Sequence, residues 1–198
     1  MDFDKVVEKR RSIRSFKDKT VSWKLVLEAI DSALQVPCAG NDLPMNFIVV
    51  EDPEKIERLA KASDQLWMNE APILVAVVSD DSQLESQYGD RGRVYSRQQA
   101  GASIQTLLLK LTDLELSACW VGSYDDYDVR FILEIPDNVQ IEALIPIGYQ
   151  SSSAKNDTKP RKKKLDSILR WESFKIKRRQ PMFQERKGIV NKDSLPNA

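Results

Sequence analysis

The chain has 198 residues, with 30 Lys or Arg balanced by 30 Asp or Glu, no histidine and two cysteines. Without histidine there is no Ser-His-Asp triad, no His-ligated zinc site and no usual neutral-pH general base. Cys38 and Cys119 stand too far apart for a metal-binding spacing, so no metal site is expected.

A hydrophobic fraction of 41% is ordinary for one globular domain, with or without an appendage. No apolar run is long enough to span a bilayer, and the acidic N-terminus lacks the basic start and apolar core of a signal peptide. A cytoplasmic protein without disulfides is the expectation. Neither G-x-G-x-x-G nor the phosphate-loop pattern occurs, so any enzymatic chemistry falls to a bound cofactor.

Phe3, Val6 and Val7 predict a short helix ending near Arg11. Arg10-Arg11-Ser12-Ile13-Arg14-Ser15-Phe16 follows. In an extended segment Arg10, Ser12 and Arg14 share one side, and two guanidinium forks with a hydroxyl suit the oxygens of a phosphate. The same arginines also read as a basic helix end facing its own C-terminal dipole.

Ser22 is placed to cap a helix whose apolar stripe is Leu25, Val26, Ala29, Ile30, Ala33 and Leu34. Pro37-Cys38-Ala39-Gly40-Asn41-Asp42-Leu43-Pro44 reads as a loop. A buried strand is predicted over 46–51, then a helix opened by Asp52-Pro53 with Ile56, Leu59 and Ala60 inward, then a second apolar strand over 73–78.

The polar stretch 84–97, with Gly89 and Gly92, reads as a mobile excursion, and the longest helical pattern runs from about Tyr95 to Leu114. Its small residues Gly101, Ala102 and Ser103 suit contact with a second subunit or close packing inside one domain. A third strand over 116–121, a helix over 126–133 and a fourth strand over 141–147 complete the pattern. It fits an α+β sheet covered by helices better than a βαβ repeat. Gly40, Gly122 and Gly148 stand at element ends, where backbone can approach a ligand across the sheet edge or simply turn.

Composition changes after Gln150, dividing the chain into a core over 1–150 and a tail over 151–198. Between Lys155 and Lys187 thirteen Lys or Arg meet four Asp or Glu, a local charge of +9. The tail reads as a basic surface loop, a short helix around Leu165 to Trp171, and an arm lying over another surface, by preference a partner subunit.

Four motifs, in order, resemble the FMN-dependent nitroreductase family over nearly the whole chain. They are Arg10-Arg11-Ser12-Ile13-Arg14 with Phe16; Pro37-Cys38-Ala39-Gly40-Asn41 with Pro44; Cys119-Trp120-Val121-Gly122 with Ile145 to Tyr149; and Lys159-Pro160-Arg161-Lys162 with Trp171-Glu172. The resemblance implies an intertwined α+β homodimer with a mainly antiparallel central sheet and one FMN at each end of the interface. It implies that Arg10, Ser12, Lys159 and Arg161 hold the phosphate, with Arg11 beside them, and that Arg14 tunes the flavin. Pro37, Cys38, Ala39 and Asn41 would reach the flavin from the other subunit, and the backbone of Val121 and Gly122 would face its reacting edge.

The implied reaction is ping-pong hydride transfer from NADH or NADPH to a nitroaromatic, a quinone or a similar small-molecule acceptor, with no protein residue acting as acid or base. Departures at Cys38, Leu43 and Met45 leave substrate preference open, and with it dehalogenation, flavin fragmentation or dehydrogenation on the same cradle. A redox role for Cys38 is weighed against simple packing. A phosphate- or nucleic-acid-binding module built on the basic block is the rival of another class; it leaves Arg10 to Arg14 unexplained.

Overall fold

Two stretches of the sequence contain runs, 73–78 and 143–147, that are apolar at every position rather than at alternate ones, which is the pattern of strands covered on both faces. In the computed structural model, which describes residues 2–152 and 163–177, both lie at the centre of a four-stranded sheet. They are β2 (Ile73–Asp80) and β4 (Val139–Gly148), flanked by β1 (Met45–Val50) and β3 (Ser117–Ala118) in the order β1-β2-β4-β3. All neighbours are antiparallel, with Val49 opposite Val75 and Val75 opposite Ile145, and an irregularity between Val77 and Val78.

Because side chains alternate across a strand, each central strand feeds two cores. Ile73, Val75, Val77, Ile145 and Ile147 pack against α2 (Trp23–Ala33) and α5 (Asp90–Asp113), through Val26, Ala29, Ala33, Ile104, Leu107 and Leu111. Leu74, Ala76 and Leu144 face α3 (Pro53–Ala62) and α6 (Asp126–Leu133), through Ile56, Leu59, Val129 and Ile132. Burying each such side chain stabilises the fold by roughly 1.5–3 kcal/mol. The α+β class and the antiparallel sheet are as expected.

The helices start largely where the sequence says. Asp52 Oδ1 accepts the Glu54 N–H at 3.0 Å with Pro53 in the first turn, and Asp125 caps α6 by accepting the Asp128 N–H at 2.9 Å. Ser22 occupies the cap position of α2, but its side chain makes no capping bond. The first helix, α1 (Phe3–Lys9), lies against α5.

Residues 84–97 correct the expectation of an irregular excursion. They lie in α4 (Ser82–Tyr88) and the first turns of α5, joined at Gly89 with φ +57°. The helices pack so closely that a Cβ on Gly92 would fall 2.3 Å from the Leu84 carbonyl carbon and oxygen. The polar residues are held by ion pairs: Arg93 with Glu85, and Arg97 with both Asp81 and Glu142. Arg97 also donates to the Ser79 hydroxyl at 2.8 Å, which ties α5 to the sheet.

Two compact units divide the chain, Met1–Thr158 and Lys159–Ala198. The described part of the second contains α7 (Leu165–Ile168) and a tight turn in which Trp171 pairs with Ser173, with the Arg170 guanidinium 5.3 Å from the Phe174 ring centroid.

Gly92→Ala is expected to destabilise the protein by about 1–3 kcal/mol, since helix backbone rather than a flexible side chain must move. The check is a lowered urea midpoint with an unchanged slope.

Candidate functional site

The residues from Ser12 to Lys17 are laid along the β3 side of the sheet as a further, irregular strand. Ser12 pairs in parallel with Ala118, and the Ile13 N–H donates to the Ala118 carbonyl at 3.1 Å. Phe16 pairs with Gln150, the Lys17 N–H donates to the Tyr149 carbonyl at 2.8 Å, and the Ser151 N–H donates to the Ser15 carbonyl at 3.0 Å. Glu70 accepts the remaining Phe16 N–H at 2.8 Å. The Phe16 ring packs on Gly148, where an added Cβ would lie 2.7 Å from the ring.

This course explains the exposure along the stretch. Ile13 and Phe16 are buried anchors, and Arg14 between them is exposed, its guanidinium 6.0 Å from the Trp67 ring centroid. Trp67 also meets Phe16 at 6.4 Å between centroids, so one indole supports both. Arg10 and Ser12 are half-buried on the same short span. Arg11 behaves differently: its guanidinium donates to the carbonyls of Glu8 at 2.6 Å and Arg10 at 2.7 Å, closing the end of α1. The helix-end reading of the arginine run therefore holds for Arg11. Arg11 also lines a cavity of about 240 Å³ together with Lys9, Lys17, Thr112 and Gln150; Arg10, Ser12 and Arg14 do not line it.

Beyond Ala118 the Cys119 N–H still reaches the Pro146 carbonyl of β4, at a long 3.4 Å, and after Trp120 the residue Val121 exchanges two 3.0 Å hydrogen bonds with Leu144. Gly122 then emerges into the open, with only Trp120 Nε1 near the place of a Cβ, at 3.9 Å. Tyr124 pins this turn by donating its hydroxyl to the Ile141 carbonyl at 3.1 Å. Burial, helped by nearby Asp126, pushes its phenol up to about 12. The Ser12–Ala118 pairing thus brings Arg10 to Arg14 alongside the segment that carries Val121 and Gly122.

The loop from Pro37 to Asn41 is placed elsewhere. Ala39–Asn41 forms a single 3-10 turn with Gly40 and Asn41 both left-handed, at φ +62° and +57°. Buried Gln99, with its amide turned to satisfy both ends, donates to the Asp42 carbonyl at 2.9 Å and accepts from the Ala39 N–H at 3.3 Å. Gln99 and Thr112 are thirteen residues apart on α5, about 20 Å along its axis at 1.5 Å per residue. Within one chain, then, the loop and the arginine strand lie against opposite halves of the long helix.

Cys38 is half-buried, while Cys119 and Met45 are core residues, so the Met45 departure alters packing rather than an open surface. Lys159 and Arg161 lie outside the described residues. Sequence reasoning missed Trp67, Glu70 and Gln99. Trp67 and Glu70 sit in a five-residue 3-10 turn, too short for periodicity to show, and Gln99 has the polarity of a solvent-facing helix position.

Comparison with known proteins bears on this arrangement. The model of the family described as the nitroreductase family matches residues 7–67 and 61–149. A Methanothermobacter thermautotrophicus protein provisionally named an NADH dehydrogenase/NAD(P)H nitroreductase is 30% identical, over 77% of this chain and 80% of its own. The Bacillus subtilis FMN reductase [NAD(P)H] is 24% identical, over 76% and 67%. The crystal structure of a nitroreductase family protein from Streptococcus pneumoniae superposes with a TM-score of 0.76 at 25% identity, over 86% of this chain and 100% of the other. No helix among the described residues is long and apolar enough to cross a membrane.

Raising the pH tests the turn after Gly122. Because the folded phenol of Tyr124 ionises above its ordinary value of 10.0, its contribution is intact below pH 10 and is lost as pH rises toward 12. Tyr124→Phe should flatten the fall in denaturation midpoint across that window.

Proposed function

Because the chain belongs to the nitroreductase family, we propose that it is an FMN-dependent NAD(P)H oxidoreductase that reduces small acceptors such as nitroaromatics and quinones. The observation that carries the proposal is the pairing of Ser12 with Ala118, which sets a run of cations beside an open backbone turn at the sheet edge. The donor set fits the cofactor: a phosphate needs fixed cations and a hydroxyl, and a flat ring needs backbone unobstructed by a side chain, as at Gly122.

Arg10 and Ser12 bind the phosphate in this reading, and Lys159 and Arg161 of the tail are proposed for the same role from their motif alone. Arg11, committed to the end of α1, contributes to the local potential rather than a direct bond. Bound FMN supplies two-electron transfer from NAD(P)H to the acceptor. Arg14, supported by Trp67, offers positive charge that favours the reduced and more anionic cofactor. The backbone of Val121 and Gly122 orients the ring, held in place by the Val121–Leu144 bonds.

The Pro37–Asn41 loop completes the site of a second protomer in this reading, because it lies about 20 Å of helix away from the arginine strand of its own chain. A homodimer is supported further by apolar side chains left in the open on the helices of that layer. Phe3 and Val7 on α1, Trp23 and Leu27 on α2, and Leu34 at the C-cap of α2 are each 44% exposed or more. Their spacing of three to four residues, or its multiples, puts each set on one helical face.

The purified protein is expected to be yellow, with released FMN identified by mass; colourless protein that cannot be loaded with FMN overturns the proposal. Arg10→Ala and Arg161→Ala should each weaken FMN retention about tenfold or more, the scale of one charge-assisted contact. Full occupancy in both variants would remove the phosphate assignment. Initial rates with NAD(P)H and acceptor varied should give parallel double-reciprocal lines, and intersecting lines would contradict a shared slot.

A further inference from the structure

The α4–α5 corner carries three neighbouring side chains that neither the fold nor the cofactor uses. Tyr88 and Tyr95 meet edge to face at 5.4 Å between centroids, and the Arg91 guanidinium stands 5.6 Å from the Tyr95 centroid. Arg91 is exposed, and Tyr88 is 39% exposed. Of the three arginines in the first turns of α5, Arg93 and Arg97 are each paired with carboxylates. Arg91 has no carboxylate partner among the described residues and lies by a ring instead. Asp90 precedes it by one position, about 100° away around the helix.

The corner adjoins the loop already assigned to the site. A Cβ on Gly40 would lie 2.9 Å from the Tyr88 hydroxyl oxygen and 2.8 Å from Gln87 Oε1, so α4 rests directly on the left-handed turn. Gly89 and Gly92 fix the corner through its positive φ and its close packing on Leu84. The tyrosines and Arg91 are therefore held in place before any ligand arrives.

We propose that Tyr88, Arg91 and Tyr95 form the recognition wall for the electron acceptor, and that they select planar aromatic acceptors bearing a carboxylate or similar anionic group. The inference rests on the reading above, in which the Gly40 loop borders the flavin of the other protomer. An aromatic acceptor packs against the tyrosine rings. A guanidinium beside a ring keeps its outer N–H groups free, in the fork geometry that pairs with a carboxylate. No bond-making step is assigned to these residues; they position and discriminate.

The test uses the full chain loaded with FMN and the isosteric pair 4-nitrobenzoate and 4-nitrobenzamide. The preference for the anion, expressed as a ratio of kcat/KM values, is expected to fall about tenfold or more in Arg91→Gln, the loss of one charge-assisted contact. Tyr95→Leu should lower kcat/KM for both acceptors. Arg93→Gln, a nearby charge change on a residue that pairs with Glu85, should leave the ratio where it is. An unchanged ratio in Arg91→Gln at full flavin content overturns the proposal and leaves the flavin reading standing. So does a change confined to the KM for NADPH. Protein that cannot be loaded with FMN overturns the reading itself and this inference with it.

Discussion

The ring of Phe16 fills the space where a side chain on residue 148 would otherwise stand, and much of the site depends on that contact. Gly148 ends the central strand β4 in a fully buried environment, so its position is fixed by two cores. Phe16 inherits that fixity, reinforced by the bond from its N–H to Glu70 and by the pairing with Gln150. An irregular segment thereby becomes as well placed as a strand. Arg14, two residues earlier, stands on the same indole that supports Phe16.

The cations of this stretch do different work for a physical reason. The last carbonyls of a helix have no partner within it, and Arg11 satisfies that of Glu8 in α1 together with the Arg10 carbonyl just beyond it. A net-neutral chain can thus concentrate charge at one edge without instability, because the surplus is either committed to carbonyls or turned outward. The α4–α5 corner follows the same economy, with two arginines locked into carboxylate pairs and the third left beside a ring.

Much of this was legible in the sequence because burial leaves a strong trace. The apolar runs within β2 and β4 and the Asp52-Pro53 start of α3 are residues whose type is dictated by their surroundings. The α4 helix left no such trace: only Leu84 is buried in it, and its other positions are polar. Gly89 and Gly92 look like loop signals, yet one ends a helix and the other lets two helices touch. The strand expected over 116–121 shortens to Ser117–Ala118 because the ladder stretches to a 3.4 Å bond at Cys119 and resumes only as an isolated bridge at Val121. Trp67, Glu70 and Gln99 act through partners distant in sequence, and no local pattern announces such contacts.

The parallel pairing of residue 12 with residue 118 also sets an order of events during synthesis and folding. The arginine strand precedes its partners on β3 and at the end of β4 by more than a hundred residues, so it is synthesised well before them. Closing so long a loop costs entropy that is recovered only once the sheet exists to receive it. This edge pairing is therefore among the last parts of the molecule to assemble, and until then the arginine run has no sheet to lie along.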